Sequence, residues 1–365
     1  MKFVAAKAIL VDAISTVQRS VAQKGVMAIL EGILITAKSE LKFTTNDLEM
    51  GMEYTVESDV LEEGTIVVSS KIFGEIIRKM PDANITIALK DSDTISIDCE
   101  NSHFEIKGLP SESFPLLPSV VPENTLSLAQ GAIKDMIKRT SFAVGVDENR
   151  PVLTGSLLEC KDNMLTMVAI DGFRMALRKA ESKEKVPDFK MIIPGKTLNE
   201  IAKVLDIVDD KVNIYTAKNQ AMFEVKHCKF TSRLIEGEYL NYNRFIPESY
   251  ETVIKVNIGY ILPSVERAAL VTQEERKYPV IFDINGDKLV VYSNTGLGTV
   301  REEIEVEGNG TKMQIGFNPK YFIDALRGID SQYAEICFTS DVGPCIIRPI
   351  ATEDFIYMIL PVRIK

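Results

Sequence analysis

Three lysine-led stretches recur along this chain at almost constant spacing, and they constrain its fold more than any other feature. They read Lys71-Ile72-Phe73-Gly74-Glu75-Ile76-Ile77-Arg78, Lys196-Thr197-Leu198-Asn199-Glu200-Ile201-Ala202-Lys203 and Lys320-Tyr321-Phe322-Ile323-Asp324-Ala325-Leu326-Arg327. Each has an apolar residue two places after the lysine, a carboxylate four after and a second base seven after. The lysines lie 125 and 124 residues apart. A period this long is a whole domain repeated, not a short solenoid unit. Helical geometry puts positions i, i+4 and i+7 on one face, so each copy is expected to show solvent a base–acid–base stripe. The opposite, core-facing side of the first copy is read as Ile72, Phe73, Ile76 and Ile77.

The repeat divides the 365 residues into three domains, each of about 120 residues, a comfortable size for one core. Prolines stop strands and stiffen connections, so boundaries are expected after Leu109-Pro110-Ser111-Glu112-Ser113-Phe114-Pro115-Leu116-Leu117-Pro118 and near Ile246-Pro247-Glu248. The domains are then 1–122, 123–248 and 249–365. Each follows one plan: strands, helix, several strands, helix, three-strand meander. Helices are predicted at 6–20, 70–80, 128–143, 195–205, 258–271 and 318–328. Alternating apolar residues flank the turns Lys90-Asp91-Ser92-Asp93, Ala217-Lys218-Asn219-Gln220 and Ser340-Asp341-Val342-Gly343, which are hairpin signals. The fold class is α+β, two helices per domain packed on antiparallel sheet.

The formal charge of −10 argues against a polyanion partner until its distribution is read. The six helices hold thirteen bases (Lys7, Arg19, Lys71, Arg78, Lys79, Lys134, Lys138, Arg139, Lys196, Lys203, Arg267, Lys320, Arg327) against six acids (Asp12, Glu75, Asp135, Glu200, Glu266, Asp324). That is +7 on the helices and −17 elsewhere. Basic helices in an acidic shell point to nucleic acid.

Catalytic motifs do not appear. His103 and His227 sit in strand-like stretches away from any nucleophile context, and Gly296-Leu297-Gly298 reads as a turn. There is no GxSxG, HExxH, Walker A or GxGxxG pattern. The cysteines Cys99, Cys160, Cys228, Cys337 and Cys345 form no CxxC pair and read as small buried apolar residues. No metal or cofactor is expected, and a binding protein is favoured over an enzyme. No apolar run approaches the roughly 18–20 residues of a membrane span, and no signal-peptide layout opens the chain, so a cytoplasmic protein is expected.

Four strings make the reading specific: Gly145-Val146-Asp147-Glu148-Asn149-Arg150-Pro151-Val152-Leu153-Thr154-Gly155, Ala169-Ile170-Asp171-Gly172-Phe173-Arg174-Met175-Ala176, Leu234-Ile235-Glu236-Gly237-Glu238-Tyr239-Leu240-Asn241-Tyr242-Asn243-Arg244-Phe245-Ile246-Pro247, and the C-terminal Ile359-Leu360-Pro361-Val362-Arg363-Ile364. With these, the chain closely resembles the bacterial DNA sliding clamp family, the beta subunit of DNA polymerase III, from its opening Met1-Lys2-Phe3 onward. The resemblance implies a head-to-tail homodimer of six domains closing a ring around double-stranded DNA. The ring acts as a processivity factor without catalysis of its own and without sequence-specific contacts.

The resemblance also assigns residues. Lys24 and Lys71 match basic DNA-contacting positions, and the stripe bases Arg78, Lys196, Lys203 and Lys320 join them. Some family members carry aromatics near DNA where this chain has Pro151 and Val152. A cleft for the short peptides of partner proteins would be walled by Leu153, then by Ile170, Gly172, Phe173, Arg174 and Met175. Leu240, Arg244 and Phe245 follow, then Asn318 and Tyr321, and last Met358, Leu360, Pro361, Val362 and Arg363. Its floor would be Leu153, Met175, Leu240, Phe245 and Leu360, with Arg174 bracing the walls through backbone carbonyls and the backbone near Gly172 offered to the peptide. Tyr357 and Ile359 read as core on the alternate face of the last strand. Ring closure would pair Phe104 with Leu270 and Val271 of the other copy. Expected partners are the replicative polymerase, an ATP-driven clamp loader and repair proteins bearing clamp-binding peptides. Two other readings stand beside this one: a nucleic-acid-processing enzyme with a carboxylate site, and a cytoplasmic peptide-binding scaffold that does not encircle DNA.

Overall fold

A computed structural model of the chain describes residues 1–22, 27–118, 120–182, 185–272, 279–350 and 352–364. The repeat plan is visible in the order of elements. Strand β1 (Lys2–Ala6) leads into helix α1 (Lys7–Val17). Then come β2 (Gly32–Ala37), β3 (Leu41–Asn46), β4 (Met50–Val56), β5 (Asp59–Glu62), β6 (Gly64–Ser69) and α2 (Ser70–Lys79). The meander β7 (Asn84–Leu89), β8 (Thr94–Cys99), β9 (Ser102–Leu109) ends the first copy.

The second copy runs β10 (Asn124–Ala129), α3 (Gln130–Thr140), β11 (Gly155–Lys161), β12 (Met164–Ile170), β13 (Arg174–Glu181), β14 (Phe189–Pro194) and α4 (Gly195–Val204). Its meander is β15 (Lys211–Ala217), β16 (Gln220–Val225), β17 (Cys228–Arg233). The third runs β18 (Thr252–Asn257), α5 (Ile258–Ala269), β19 (Val280–Asn285), β20 (Lys288–Thr295), β21 (Gly298–Glu305), β22 (Glu307–Gly310), β23 (Met313–Phe317) and α6 (Pro319–Arg327). It closes with β24 (Tyr333–Phe338), β25 (Cys345–Pro349), β26 (Phe355–Ile359). All six predicted helices are present, and each copy ends in the predicted meander.

Local chemistry sets the boundaries. Ser69 caps α2 by accepting from the Ile72 amide, and Asn318 caps α6 by accepting from the Lys320 amide, with Pro319 in the first turn. Asp162 and Asn163 both take positive φ in the two-residue turn between β11 and β12, the conformation that tight hairpins favour. Lys226 and His227 form the turn between β16 and β17, with Lys226 also at positive φ. His227 is therefore a turn residue, not the strand residue read from the sequence.

The chain forms two compact units, Met1–Gly131 with Lys203–Leu234, and Ala132–Ala202 with Ile235–Lys365. In the first, thirteen strands form one sheet in the order β10-β15-β16-β17-β4-β3-β2-β6-β9-β8-β7-β1-β5. In the second, nine strands run β14-β11-β12-β13-β26-β25-β24-β18-β22, beside a four-stranded sheet β21-β20-β19-β23. The middle repeat is shared out because ladders continue past repeat ends. Cys228–Ser232 pairs antiparallel with Met50–Tyr54, and Arg174–Arg178 pairs with Phe355–Ile359.

The second unit's core gathers Phe282, Phe317, Phe322 and Phe338 under α5 and α6, with the Phe282 and Phe322 rings 4.5 Å apart. Each such ring stabilises the fold by roughly 1.5–3 kcal/mol through burial. On α2, Phe73, Gly74 and Ile77 face the core, whereas Ile72 is 50% exposed. The sequence reading put Ile72 inward. At 100° per residue it falls on the Lys71–Glu75 side instead. All five cysteines are buried free thiols, as read.

Candidate functional site

In the second unit, three segments of the predicted cleft meet at one turn. Ile170 ends β12 and Arg174 begins β13; between them Asp171 accepts at Oδ1 from the amides of Phe173 (2.9 Å) and Arg174 (3.0 Å). Gly172 takes φ +94°, which a side chain would strain. This local carboxylate–amide turn is what a short Asp-Gly sequence favours. The last strand, β26, runs alongside β13 with Met175 opposite Met358, and the Leu360 amide then donates to the Phe173 carbonyl (2.9 Å). Beyond it the Val362 amide donates to the Gly316 carbonyl at the end of β23 (2.8 Å). The C-terminal segment is thus tied down at both ends of Leu360-Pro361-Val362.

Arg174 is 8% exposed and fully engaged. Its Nε donates to Asp171 Oδ2 (2.9 Å), Nη1 to Asp324 Oδ2 (2.6 Å) and Nη2 to the Phe142 carbonyl (2.6 Å). The guanidinium lies 4.4 Å from the Tyr321 ring centroid, in cation–π range. Arg174 braces the site, but through two carboxylates, one carbonyl and a ring, not chiefly through carbonyls as the sequence reading had it. Burial pushes the Tyr321 phenol up from its ordinary value, leaving it neutral beneath the guanidinium.

The apolar part divides into a floor and a rim. Leu153, Ile170, Met175 and Met358 are buried in one cluster with Tyr242, whose hydroxyl donates to Glu159 (2.5 Å). Phe173, Leu240, Phe245 and Leu360 are all exposed, at 59% for Phe173 and 38% for Leu360. Leu240, Phe245 and Leu360 are therefore not part of a buried floor, as the sequence reading had them. Leu240 and Phe245 flank Tyr242 in sequence, so the short helical turn Tyr242–Phe245 buries one aromatic and leaves the other facing water.

Several wall assignments change. Asn318 spends its side chain capping α6, so it is structural before it is a contact. The Phe173 amide and carbonyl are both taken within the protein, so the turn offers a peptide fewer backbone groups than the sequence suggested. Pro361 and Val362 are half-buried, and Arg244 and Arg363 are exposed. The sequence reading missed two neighbours. Arg150 Nη1 lies 3.5 Å from where a Cβ on Gly172 would sit, and Phe142 supplies a carbonyl and a ring to Arg174. Arg150 lies inside one of the four family strings, which was the only signal for it; Phe142 had none.

Among the predicted basic residues, Lys71 and Arg78 are exposed on α2, Lys196 and Lys203 on α4, and Lys320 on α6. Arg78 also donates to Gln18 (3.2 Å). Lys24 lies outside the described residues. The predicted solvent stripe holds for the bases and for Glu75 but fails at Asp324, which turns to Arg174. Arg139 also leaves the tally of solvent-facing bases. It is buried, donates to Asp135 and Asp330 at 2.6 Å each, and shares Asp135 with Arg178 over the Phe355 ring.

Of the predicted interface residues, Phe104 lies on a strand with an open edge, and Leu270 and Val271 follow the end of α5. Strand β9 pairs with β8 from Ser102 to Lys107 and with β6 only at Gly108 and Leu109. Among the described residues, its stretch Ser102–Lys107 therefore has one ladder partner, and Phe104 there is exposed. Beside Phe104, His103 Nδ1 lies 2.5 Å from Asp98 Oδ1, which raises the imidazole pKa and lowers that of Asp98. In the second unit β21 is an outermost strand. Leu270, at the end of α5, is 79% exposed, and Val271 is half-buried with its carbonyl accepting from Thr295 at the end of β20 (2.6 Å).

Among the described residues no group of three or more His, Cys, Asp or Glu is placed to hold a metal ion, and no helix is long and apolar enough to cross a membrane.

Family models of the DNA polymerase III beta subunit match the chain in order: the N-terminal domain at residues 1–118, the central domain at 127–241 and the C-terminal domain at 243–363. The beta sliding clamp of Staphylococcus epidermidis is 33% identical over 377 residues, spanning 100% of this chain and 99% of that protein. That of Halalkalibacterium halodurans is 33% identical over 378 residues, spanning 100% of both. The crystal structure of the DNA polymerase sliding clamp from Bacillus subtilis superposes with a TM-score of 0.95 at 30% identity, and that of the DNA polymerase III beta chain from Streptococcus pneumoniae with 0.94 at 28%. Both cover the whole of each chain.

Proposed function

This chain belongs to the DNA polymerase III beta subunit family, the bacterial sliding clamps, and from that membership we propose how it works as a polymerase processivity factor. Three clamp domains, 1–122, 123–248 and 249–365, make half of a six-domain ring, and two copies close head to tail around double-stranded DNA. The contacts to DNA are electrostatic, made by Lys24, Lys71, Arg78, Lys196, Lys203 and Lys320. Phosphate attraction is independent of sequence, so the ring is free to slide while the topological link holds it on. The protein performs no chemistry of its own.

Closure uses the open stretch of β9 with Phe104 on one copy and the β21 edge with Leu270 and Val271 on the other. A heterologous contact that closes after two copies leaves no strand edge to polymerise. The surface around Arg174 takes the short peptides of the replicative polymerase, the clamp loader and repair proteins, with apolar anchors on Leu153 and Met175 between the rim residues Phe173, Leu240, Phe245 and Leu360. The cytoplasm, where the chromosome is copied, is its place of action.

The observation that carries the DNA reading is the exposure of a base at both ends of the same helix in all three repeats, Lys71 with Arg78, Lys196 with Lys203 and Lys320 with Arg327, in a chain whose net charge is −10. Charge reversal tests it. The Lys71→Glu, Lys320→Glu double variant should keep its dimer mass while binding DNA more weakly and with a shallower salt dependence, by roughly 0.9 in log–log slope per lost phosphate contact. Unchanged binding and slope would reduce the basic faces to solvated surface.

A further inference from the structure

The repeated stripe uses its carboxylate differently in the third copy than in the first. Glu75 in α2 is exposed, whereas Asp324 in α6 turns away from Lys320 and Arg327 to meet Arg174 at 2.6 Å, 150 residues away in sequence. Asp324 is one of three anchors on that guanidinium, with Asp171 and the Phe142 carbonyl, and Tyr321 of the same helix lies under it.

From this geometry we infer that Asp324 is a positioning residue for peptide binding, which holds Arg174 against the Asp171 turn and thereby fixes Phe173 and Leu360 in one arrangement. The inference rests on the cleft reading above. The chain of contacts is short. Asp171 uses one oxygen on Arg174 and the other on the amides of Phe173 and Arg174, and the Phe173 carbonyl takes the Leu360 amide. Both rim side chains therefore hang on a turn whose carboxylate is oriented by the guanidinium. Arg174 is nearly excluded from water, so its pairing with Asp324 is screened far less than a surface ion pair. With the Asp324 carboxylate gone, Nη1 loses its ionic acceptor, the planar fork has one carboxylate left, and nothing on α6 but the Tyr321 ring keeps it in plane.

Asp324→Asn tests this in the full-length protein, with a fluorescent clamp-binding peptide as probe. Affinity should fall roughly tenfold, within the coupling usual for residues of one hydrogen-bonded network. Amide exchange at Leu360 should quicken in the same variant. Asp324→Glu, which keeps the charge, should recover most of both, which a loss of packing alone would not do. DNA retention should not fall, since a negative charge is removed beside Lys320. Should Asp324→Asn fail to fold, Arg174→Lys reads the same link, because an ammonium keeps the charge without the fork that spans two carboxylates, and it must weaken the peptide likewise. Wild-type affinity and Leu360 exchange in Asp324→Asn, with Leu360→Asp still unable to bind, would overturn this inference and leave the cleft standing. Wild-type affinity in Leu360→Asp as well would remove the cleft and the inference together.

Discussion

Replacing Leu360 by Asp separates peptide docking from folding, and the structure indicates why this position serves better than its neighbour Met175. Leu360 is 38% exposed while Met175 is 1% exposed. Full burial of a leucine side chain is worth about 1.5–3 kcal/mol, so a side chain already partly in water forfeits about 1–2 kcal/mol of fold stability when removed. Its new carboxylate can reach solvent and remain ionised in the free protein. At Met175 a carboxylate would sit in the ladder opposite Ile170 and Met358 with no partner. That would cost several kcal/mol, a large part of the roughly 5–15 kcal/mol that holds a domain together. Loss of binding there would report unfolding as readily as a damaged site.

In Leu360→Asp the penalty falls on the complex, because a peptide anchor seated on the rim strips water from the carboxylate. Desolvation without a hydrogen-bond partner costs about 1–3 kcal/mol for a neutral polar group and more for a charged one, of which a partly exposed rim position bears a fraction, and lost apolar contact adds to it. The sum corresponds to an affinity drop on the order of 10- to 1,000-fold, at about 1.4 kcal/mol per decade. Fluorescence anisotropy with a labelled clamp-binding peptide measures it, and a thermal melt confirms that the fold is retained. An affinity within threefold of wild type, with the melt unchanged, would refute the assignment of this surface as the docking site.

Two further outcomes are expected. Phe104→Ala combined with Leu270→Ala removes side chains that are exposed in the single chain, so folding should be little affected, while the dimer weakens by roughly 1–3 kcal/mol for each contact that assembly buries. Sedimentation at decreasing concentration should reveal monomer, and an undiminished dimer would place the interface elsewhere. His103 should titrate above the ordinary histidine value because Asp98 favours its protonated form. Its contribution to stability is therefore full below the unfolded pKa of about 6.5 and disappears as pH rises through the folded value. An NMR titration midpoint at or below the ordinary value would contradict the pairing.

What the sequence revealed and what it concealed have physical reasons. Helices were legible because a repeated base–acid–base pattern and an apolar stripe at helical spacing need no tertiary information; the caps Ser69 and Asn318 emerge only in the structure. Hairpins were legible where Asp, Asn or Gly cluster between alternating apolar runs, as at Lys90-Asp91-Ser92-Asp93 between β7 and β8. Ile72 was misplaced because four apolar residues in an eight-residue window fit more than one helical phase, and only the sheet beneath α2 selects one. The sharing of the middle repeat between two compact units was invisible, since β4 with β17 and β13 with β26 join through backbone hydrogen bonds that carry no side-chain signature. Of the cleft, the apolar members showed in the strings around Gly172 and Leu360. The division into buried floor and exposed rim did not, because it depends on how the 242–245 turn packs. The partners of Arg174 were hidden for a similar reason: Phe142 and Asp324 are 32 and 150 residues away from it in sequence.

The central claim is a topological link, and one measurement addresses it most directly. The protein is loaded onto nicked circular duplex DNA by an ATP-driven clamp loader, washed at a salt concentration that abolishes its direct binding to DNA, and assayed for retention before and after the circle is cut once. Phosphate contacts are lost with salt whatever the DNA topology, but a closed ring is not. Retention on the intact circle followed by release on linearisation is the predicted result. Equal retention on circular and linear DNA, or equal loss from both, would contradict encirclement.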